Sequence, residues 1–187
     1  MAFSITQFQG AMKFGGARPS LFEVRLTNPV AGFGDSQVPF MCRAAEIPSA
    51  EVNPLPITYF GRPVKFAGNR TFPDWTITLY NDEDFIIRSG LEKWSDSINT
   101  FEGNVREVGN GNPLAYKSDA QVIHYGKTGS VLREYRMIGI FPISISPIAL
   151  AWDSEQVEEY SVTFSIDYWE VDGGESSALE SFAAQVF

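Results

Sequence analysis

His124 is the only histidine of the chain and Cys42 the only cysteine. A Ser–His–Asp or Cys–His nucleophile would therefore have to work through His124. His124 stands beside Tyr125 within a strand-like run, with no nucleophile-elbow sequence near it. It reads as a structural histidine. Cys42 shares an apolar strand face with Phe40 and Ala44 and reads as a buried, inert thiol. A single cysteine can form neither an intramolecular disulfide nor a cysteine-based metal site, which fits a reducing compartment. Gly126-Lys127-Thr128 has the end of a phosphate-binding loop, but that loop needs a glycine where Gln121 stands, and a helix afterwards. Here a strand-like segment follows, so a hairpin turn accounts for it.

Asp82, Glu83 and Asp84 could ligate Mg²⁺ or Ca²⁺. They also sit where a helix start favours negative charge, and capping explains them without a ligand. Glu155, Glu158 and Glu159 lack the spacing of a calcium loop, and nothing pairs two carboxylates as in a glycosidase. No catalytic, cofactor or metal site is expected, and the chain reads as a non-enzyme.

The elements that would position any site are mostly strands. Phe22, Val24 and Leu26 share one face of a strand over 21–26, and 40–46 reads as a second strand forming a hairpin with the first. Residues 75–80 and the paired segments 121–125 and 131–139 add further strands. The clearest alternation is in the last strand: Tyr160, Val162, Phe164, Ile166 and Tyr168 against Glu159, Ser161, Thr163, Ser165 and Asp167. One helix is expected over 83–98, with Ile87, Leu91, Trp94 and Ile98 on one face. Residues 141–147, with two prolines, read as irregular. Residues 1–19 read as a mostly irregular N-terminal arm, 20–170 as one domain, and 171–187 as a flexible tail.

Segment 47–68 combines Pro48, Pro54, Pro56 and Pro63 with Val52, Leu55, Ile57, Tyr59, Phe60, Val64 and Phe66. Proline argues against a central strand, and the apolar content argues against a solvated loop. An extended arm or long hairpin that packs outside its own core fits both. The result is a mainly β fold, an antiparallel sandwich or barrel-like domain with one flanking helix.

The chain has 187 residues, 44% of them hydrophobic and 14% aromatic, enough for one self-sufficient core. Fourteen cations against 23 carboxylates give a net charge of −9. That disfavours gripping nucleic acid or anionic membranes. The N-terminus lacks the cationic start of a secretory signal, and no apolar run is long enough to span a membrane.

Several segments, in order, resemble the tail tube proteins of large contractile-tailed phages. They are Ala17-Arg18-Pro19-Ser20-Leu21-Phe22-Glu23-Val24, the run Phe40-Met41-Cys42-Arg43-Ala44-Ala45-Glu46-Ile47-Pro48, and Arg70-Thr71-Phe72-Pro73-Asp74-Trp75-Thr76 with Asn81-Asp82-Glu83. Trp152-Asp153-Ser154 and Asp167-Tyr168-Trp169-Glu170 close the series. The resemblance implies a structural subunit whose copies form a hexameric ring with a continuous inner barrel, the rings stacking into a tube. It implies as partners other copies of the chain and the tail sheath, baseplate and terminator proteins, with DNA passing through the lumen unbound. It implies a virion tail location after assembly in the host cytoplasm, and no catalytic residues. The inner tube of a bacterial contractile injection system and a carbohydrate-binding sandwich are the alternatives.

On this reading the polar row Glu159, Ser161, Thr163, Ser165 and Asp167 is expected to line the lumen. Val52, Leu55, Ile57, Tyr59 and Phe60 are expected to bury against a neighbouring ring or subunit.

Overall fold

The computed structural model describes residues 4–12, 15–30, 34–106 and 111–172. Two antiparallel sheets share one long strand. The first sheet is built from β1 (Phe22–Leu26), β6 (Ser118–Tyr125), the first part of β7 (Val131–Ile145) and β9 (Tyr168–Asp172). The second contains β2 (Cys42–Ala45), β5 (Trp75–Tyr80), β8 (Glu159–Ser165) and the last five residues of β7. β7 changes sheet near Gly139, whose φ of +71° suits a residue without Cβ, and its register against β8 shifts between Pro142 and Ser144. A strand that bends from one sheet into the other closes the corner of a sandwich.

The period-two pattern fills the space between the sheets. Trp75, Ile77 and Leu79 from β5 and Tyr160, Val162 and Phe164 from β8 are buried. They meet Val24, Leu26, Val122 and Met137 from the first sheet. Helix α3 (Ile86–Ile98) buries Ile87, Leu91 and Trp94 in the same cluster, the face its sequence spacing predicts. The Phe164 ring lies 5.7 Å from Trp75 and 6.1 Å from Trp94. Both buried indoles are satisfied: Trp75 Nε1 donates to the Glu46 carbonyl (2.8 Å) and Trp94 Nε1 to the Tyr116 carbonyl (2.7 Å). Full burial of each large apolar side chain contributes roughly 1.5–3 kcal/mol, so this cluster carries the stability of the domain.

Several sequence expectations are corrected. The arm over 1–19, expected to be mostly irregular, includes one helix that was not foreseen, α1 (Ile5–Ala11), with the Ser4 hydroxyl accepting the Gln7 N–H at its start. The first two strands do not form a hairpin. Short helix α2 (Val38–Met41), anchored by buried Val38, carries the chain across, so β1 pairs with β6 and β2 with β5. The main helix begins at Ile86 rather than 83, because Phe85 adopts a left-handed conformation (φ +54°) and Asp84 Oδ1 accepts the Ile86 N–H at 3.1 Å. Asp82 caps the preceding turn by accepting the Glu83 N–H at 2.9 Å.

Residues 141–145 are strand, not irregular. Pro142 is tolerated where β7 has only β8 beside it and so needs hydrogen bonds on one side only. The last strand is two strands, since the chain leaves the second sheet after Ser165 and joins the first as β9. The expected tail over 171–187 lies outside the described residues beyond 172, and 171–172 belong to β9.

Candidate functional site

Two strands stand apart from the sandwich. β3 (Glu51–Tyr59) and β4 (Arg62–Thr71) pair with each other and make no substantial contact with any other element. Every residue of β3 is exposed, as is every residue of β4 except Gly68. The two-residue turn Phe60–Gly61 has φ of +48° and +78°, the double positive φ whose twist matches a tight hairpin. Nine residues of β3 give the arm a length of about 30 Å.

Register decides what the hairpin presents. Leu55 faces Phe66, Ile57 faces Val64 and Tyr59 faces Arg62, so Leu55, Ile57, Tyr59, Val64 and Phe66 share one face. All five remain exposed, and Phe60 at the tip is 90% exposed with its ring edge-on to Tyr59. The reverse face pairs Pro54 with Ala67, Pro56 with Lys65 and Thr58 with Pro63. Three prolines and a lysine are devices that keep strand edges from joining another sheet, which leaves the apolar face as the contact. A two-stranded hairpin in water is marginal by itself. Val52 lies across a register shift from this face, and Val64 and Phe66 complete it from β4. Those two were named in the sequence as apolar but not placed with the contact residues, since only register pairs them with Leu55 and Ile57.

The polar row of β8 divides. Glu159, Ser161, Thr163 and Ser165 lie half-buried on the outer face of the second sheet. The Thr163 and Thr76 hydroxyls are 3.1 Å apart, and those of Ser161 and Thr78 are 3.3 Å apart, forming a cross-strand hydroxyl ladder. Glu159 is ion-paired with Arg43 on β2. Asp167 falls between β8 and β9, where Lys117 Nζ lies 2.6 Å from each of its carboxylate oxygens. The structure therefore brings four of the five residues together and takes Asp167 elsewhere.

The residues with possible chemistry are accounted for locally. His124 Nε2 donates to the Arg18 carbonyl at 3.0 Å. Cys42 is half-buried, and loss of solvation pushes its thiol up to about 11, away from the nucleophilic thiolate. The Gly126–Ser130 segment closes a hairpin through Gly126 N–H to the Ser130 carbonyl at 2.8 Å, and β7 follows it. Among the described residues, no three His, Cys, Asp or Glu side chains converge as a metal site. None of the described helices is long and apolar enough to cross a membrane.

The tube-terminating cap of the anti-feeding prophage superposes with a TM-score of 0.63 at 15% identity, covering 84% of this chain and 91% of that one. A chain from the sheath–tube complex of an extracellular contractile injection system gives 0.53 at 17% identity, covering 92% and 99%. Residues 7–172 match the family described as phage tail tube protein. Tail tube protein gp19 of Enterobacteria phage T4 is 35% identical over 156 residues, which span 82% of this chain and 91% of that protein. The tail tube protein of Serratia phage KSP90 is 23% identical over 163 residues, 84% and 89% of the two chains. The chain belongs to the phage tail tube protein family, and it is a structural subunit of a contractile tail.

Proposed function

We propose that copies of this chain close into hexameric rings, that the rings stack through the β3–β4 hairpin, and that the stacked tube conducts DNA without binding it. The observation that carries this reading is the hairpin: five large apolar side chains on one face of an arm that makes no substantial contact with the other elements of its own subunit. A surface of that kind on a soluble protein marks an interface. The second sheet supplies the ring. It has four strands and two open edges, β2 and the end of β7. Joining such edges around a ring leaves no strand edge exposed. If each subunit gives four strands, roughly 24 strands spaced ~4.8 Å and tilted ~40° close a barrel about 45–50 Å across at the backbone, wide enough for duplex DNA.

The outer face of that sheet, with Glu159, Ser161, Thr163 and Ser165, would then wall the lumen, and Asp167 would sit beside it at the strand break. The sheath, baseplate and tail terminator are the further partners of this reading, and assembly takes place in the host cytoplasm. The 35% identity to a phage protein, against 15–17% to injection-system chains, favours the phage tail over the injection-system tube.

Negative-stain microscopy of the purified protein tests the proposal. Rings and tubes are expected from the unaltered chain. Leu55→Ser with Phe66→Ser should give folded rings that do not stack. A monomer at every concentration would refute ring formation, and ordinary tubes from the double variant would refute the role of the hairpin.

A further inference from the structure

At the root of the hairpin the space between the sheets stays open. A cleft of about 680 Å³ lies there. Clefts that hold ligands run from roughly 300 to 1,000 Å³. Its apolar wall is formed by Phe22 from β1, Val122 from β6, Leu132 and Tyr135 from β7, and Ile47 from the lead into β3. Ile47 and Leu132 are 52% and 40% exposed, so two large apolar side chains of this wall face solvent. Neither belongs to the buried cluster between the sheets.

β9 ends beside this cleft. Asp172, its last residue, pairs with Glu134, and Val171 pairs with Tyr135. Adjacent strands lie about 4.8 Å apart, so the chain leaves β9 one strand spacing from the cleft wall. In the sequence that follows, Leu179, Phe182, Ala183 and Val186 recur at the three- and four-residue spacing of one apolar face. Residues 173–178 can span up to about 20 Å, enough to bring Leu179 back over the cleft. The charges agree. Glu175 and Glu180 are the only charged side chains of residues 173–187. Arg133 lines the cleft, and Arg18 stands between its lining residues Ala17 and Pro19. Glu46 is the one carboxylate of the lining, so two arginines outweigh it in a chain of net charge −9. Neither arginine is in an ion pair among the described residues.

We propose that residues 179–187 seat in this cleft of their own subunit. Leu179, Phe182 and Val186 pack against Ile47, Leu132 and Tyr135, while Glu175 and Glu180 lie toward Arg18 and Arg133. The apolar side chains supply affinity, and the opposite charges set orientation. A short tether holds the segment at a high effective concentration over the cleft, so a modest contact is enough to fill it. The contact stands apart from ring formation and stacking, but it bears on the arm. Trp169 Nε1 already ties the lead into β3 by donating to the Ser49 carbonyl at 2.8 Å. A seated tail covers Ile47 on the same lead and so braces the root from which the hairpin projects.

The test uses the full-length chain. Leu132→Cys and Phe182→Cys, with Cys42→Ser to remove the native thiol, place one cysteine in the cleft and one in the tail. Oxidation with glutathione disulfide should close an intrachain bridge, seen as a faster monomer band on a non-reducing denaturing gel. Adding Leu179→Ser and Val186→Ser keeps the cysteines and the tether but removes two anchors, and closure should slow about tenfold. Equal closure rates would show a tail that only diffuses past the cleft. Disulfide-linked dimers in place of the closed monomer would show the tail of a second copy there. Either result overturns the proposal. A second measurement needs no cysteine. A glutamate-specific protease should cut after Glu180 about tenfold more slowly in the unaltered chain than in the Leu179→Ser, Val186→Ser variant. Equal cutting overturns the proposal even if the cysteine variant does not fold.

Discussion

Asp167 lies directly over Gly139, so that a methyl group added to Gly139 would collide with the Asp167 carboxylate. This is the crossing point of the fold. Gly139 turns β7 from the first sheet toward the second, and Asp167 marks where the chain passes from β8 back to β9. Lys117 holds the Asp167 carboxylate from the other side, and the Asp167 N–H donates to the Ile138 carbonyl at 3.1 Å.

Gly139→Ala should therefore cost stability twice, through its positive φ and through the collision. The loss should be about 1–3 kcal/mol, read as a lowered chemical-denaturation midpoint. Asp167→Gly in the same chain should recover part of it, since it removes the colliding group. Equal stability of Gly139→Ala and the unaltered protein would show that the crossing is not tight.

Gly68 makes a contrasting case. A Cβ there would meet the Asn53 carbonyl oxygen, at the register shift between Val52 and Pro54. Gly68→Ala should disturb the pairing that keeps Leu55, Ile57, Tyr59, Val64 and Phe66 on one face. Because the hairpin does not support the core, global stability should change by less than about 0.5 kcal/mol. A loss of roughly 1.4 kcal/mol per contact would already lower stacking affinity about tenfold. Thermal melting and tube length together read the two effects, and a large fall in melting temperature would contradict the independence of the arm.

These pairs of residues also explain what was legible in advance. Strands β5 and β8 and the buried face of α3 follow from local periodicity, and Trp75, Phe164 and Trp94 were identifiable from spacing alone. The projecting arm was legible because prolines and exposed-type apolar residues cannot both be satisfied inside a sheet. Asp167 was misplaced in the polar row because the alternation runs on through Ile166 and Tyr168 while the backbone changes sheets. The break follows the bend of β7 at Gly139, many residues away in sequence, which packs against Asp167. The pairing of β1 with β6 is likewise set by α2 and by contacts distant in sequence.

Tyr160 is buried and its hydroxyl has no hydrogen-bond partner, while Arg88 lies over its ring, 5.1 Å from the centroid. Burial pushes the phenol up to about 12 from its ordinary value of 10.0. The folded state thus holds this proton more tightly than the unfolded state. Its contribution to stability is complete below about pH 10 and is lost as pH rises toward 12. Tyr160→Phe leaves no orphaned hydroxyl and should be neutral or slightly stabilising at pH 7. Between pH 10 and 12 its stability should fall less steeply than that of the unaltered chain. Parallel curves across that range would rule out the burial effect.

The last prediction concerns the wall that DNA would pass. Glu159 and Asp167 are both ion-paired, with Arg43 and Lys117, so neither offers a bare negative charge. What remains on the outer face of β5 and β8 is the ladder of Thr76, Thr163, Thr78 and Ser161 hydroxyls. An uncharged hydroxyl wall neither repels phosphate strongly nor traps it. Cations would trap it, because each phosphate contact releases condensed counterions and so gains free energy at low salt. If this face lines the lumen, Ser161→Lys with Thr163→Lys puts a belt of cations in every ring. Tubes should still assemble, because these side chains lie outside the core and away from the hairpin. DNA ejection should slow several-fold at low salt and recover as salt screens the added charge. Virions carrying the two lysines that eject at the ordinary rate at low salt, with intact tubes, would place this face away from the DNA path.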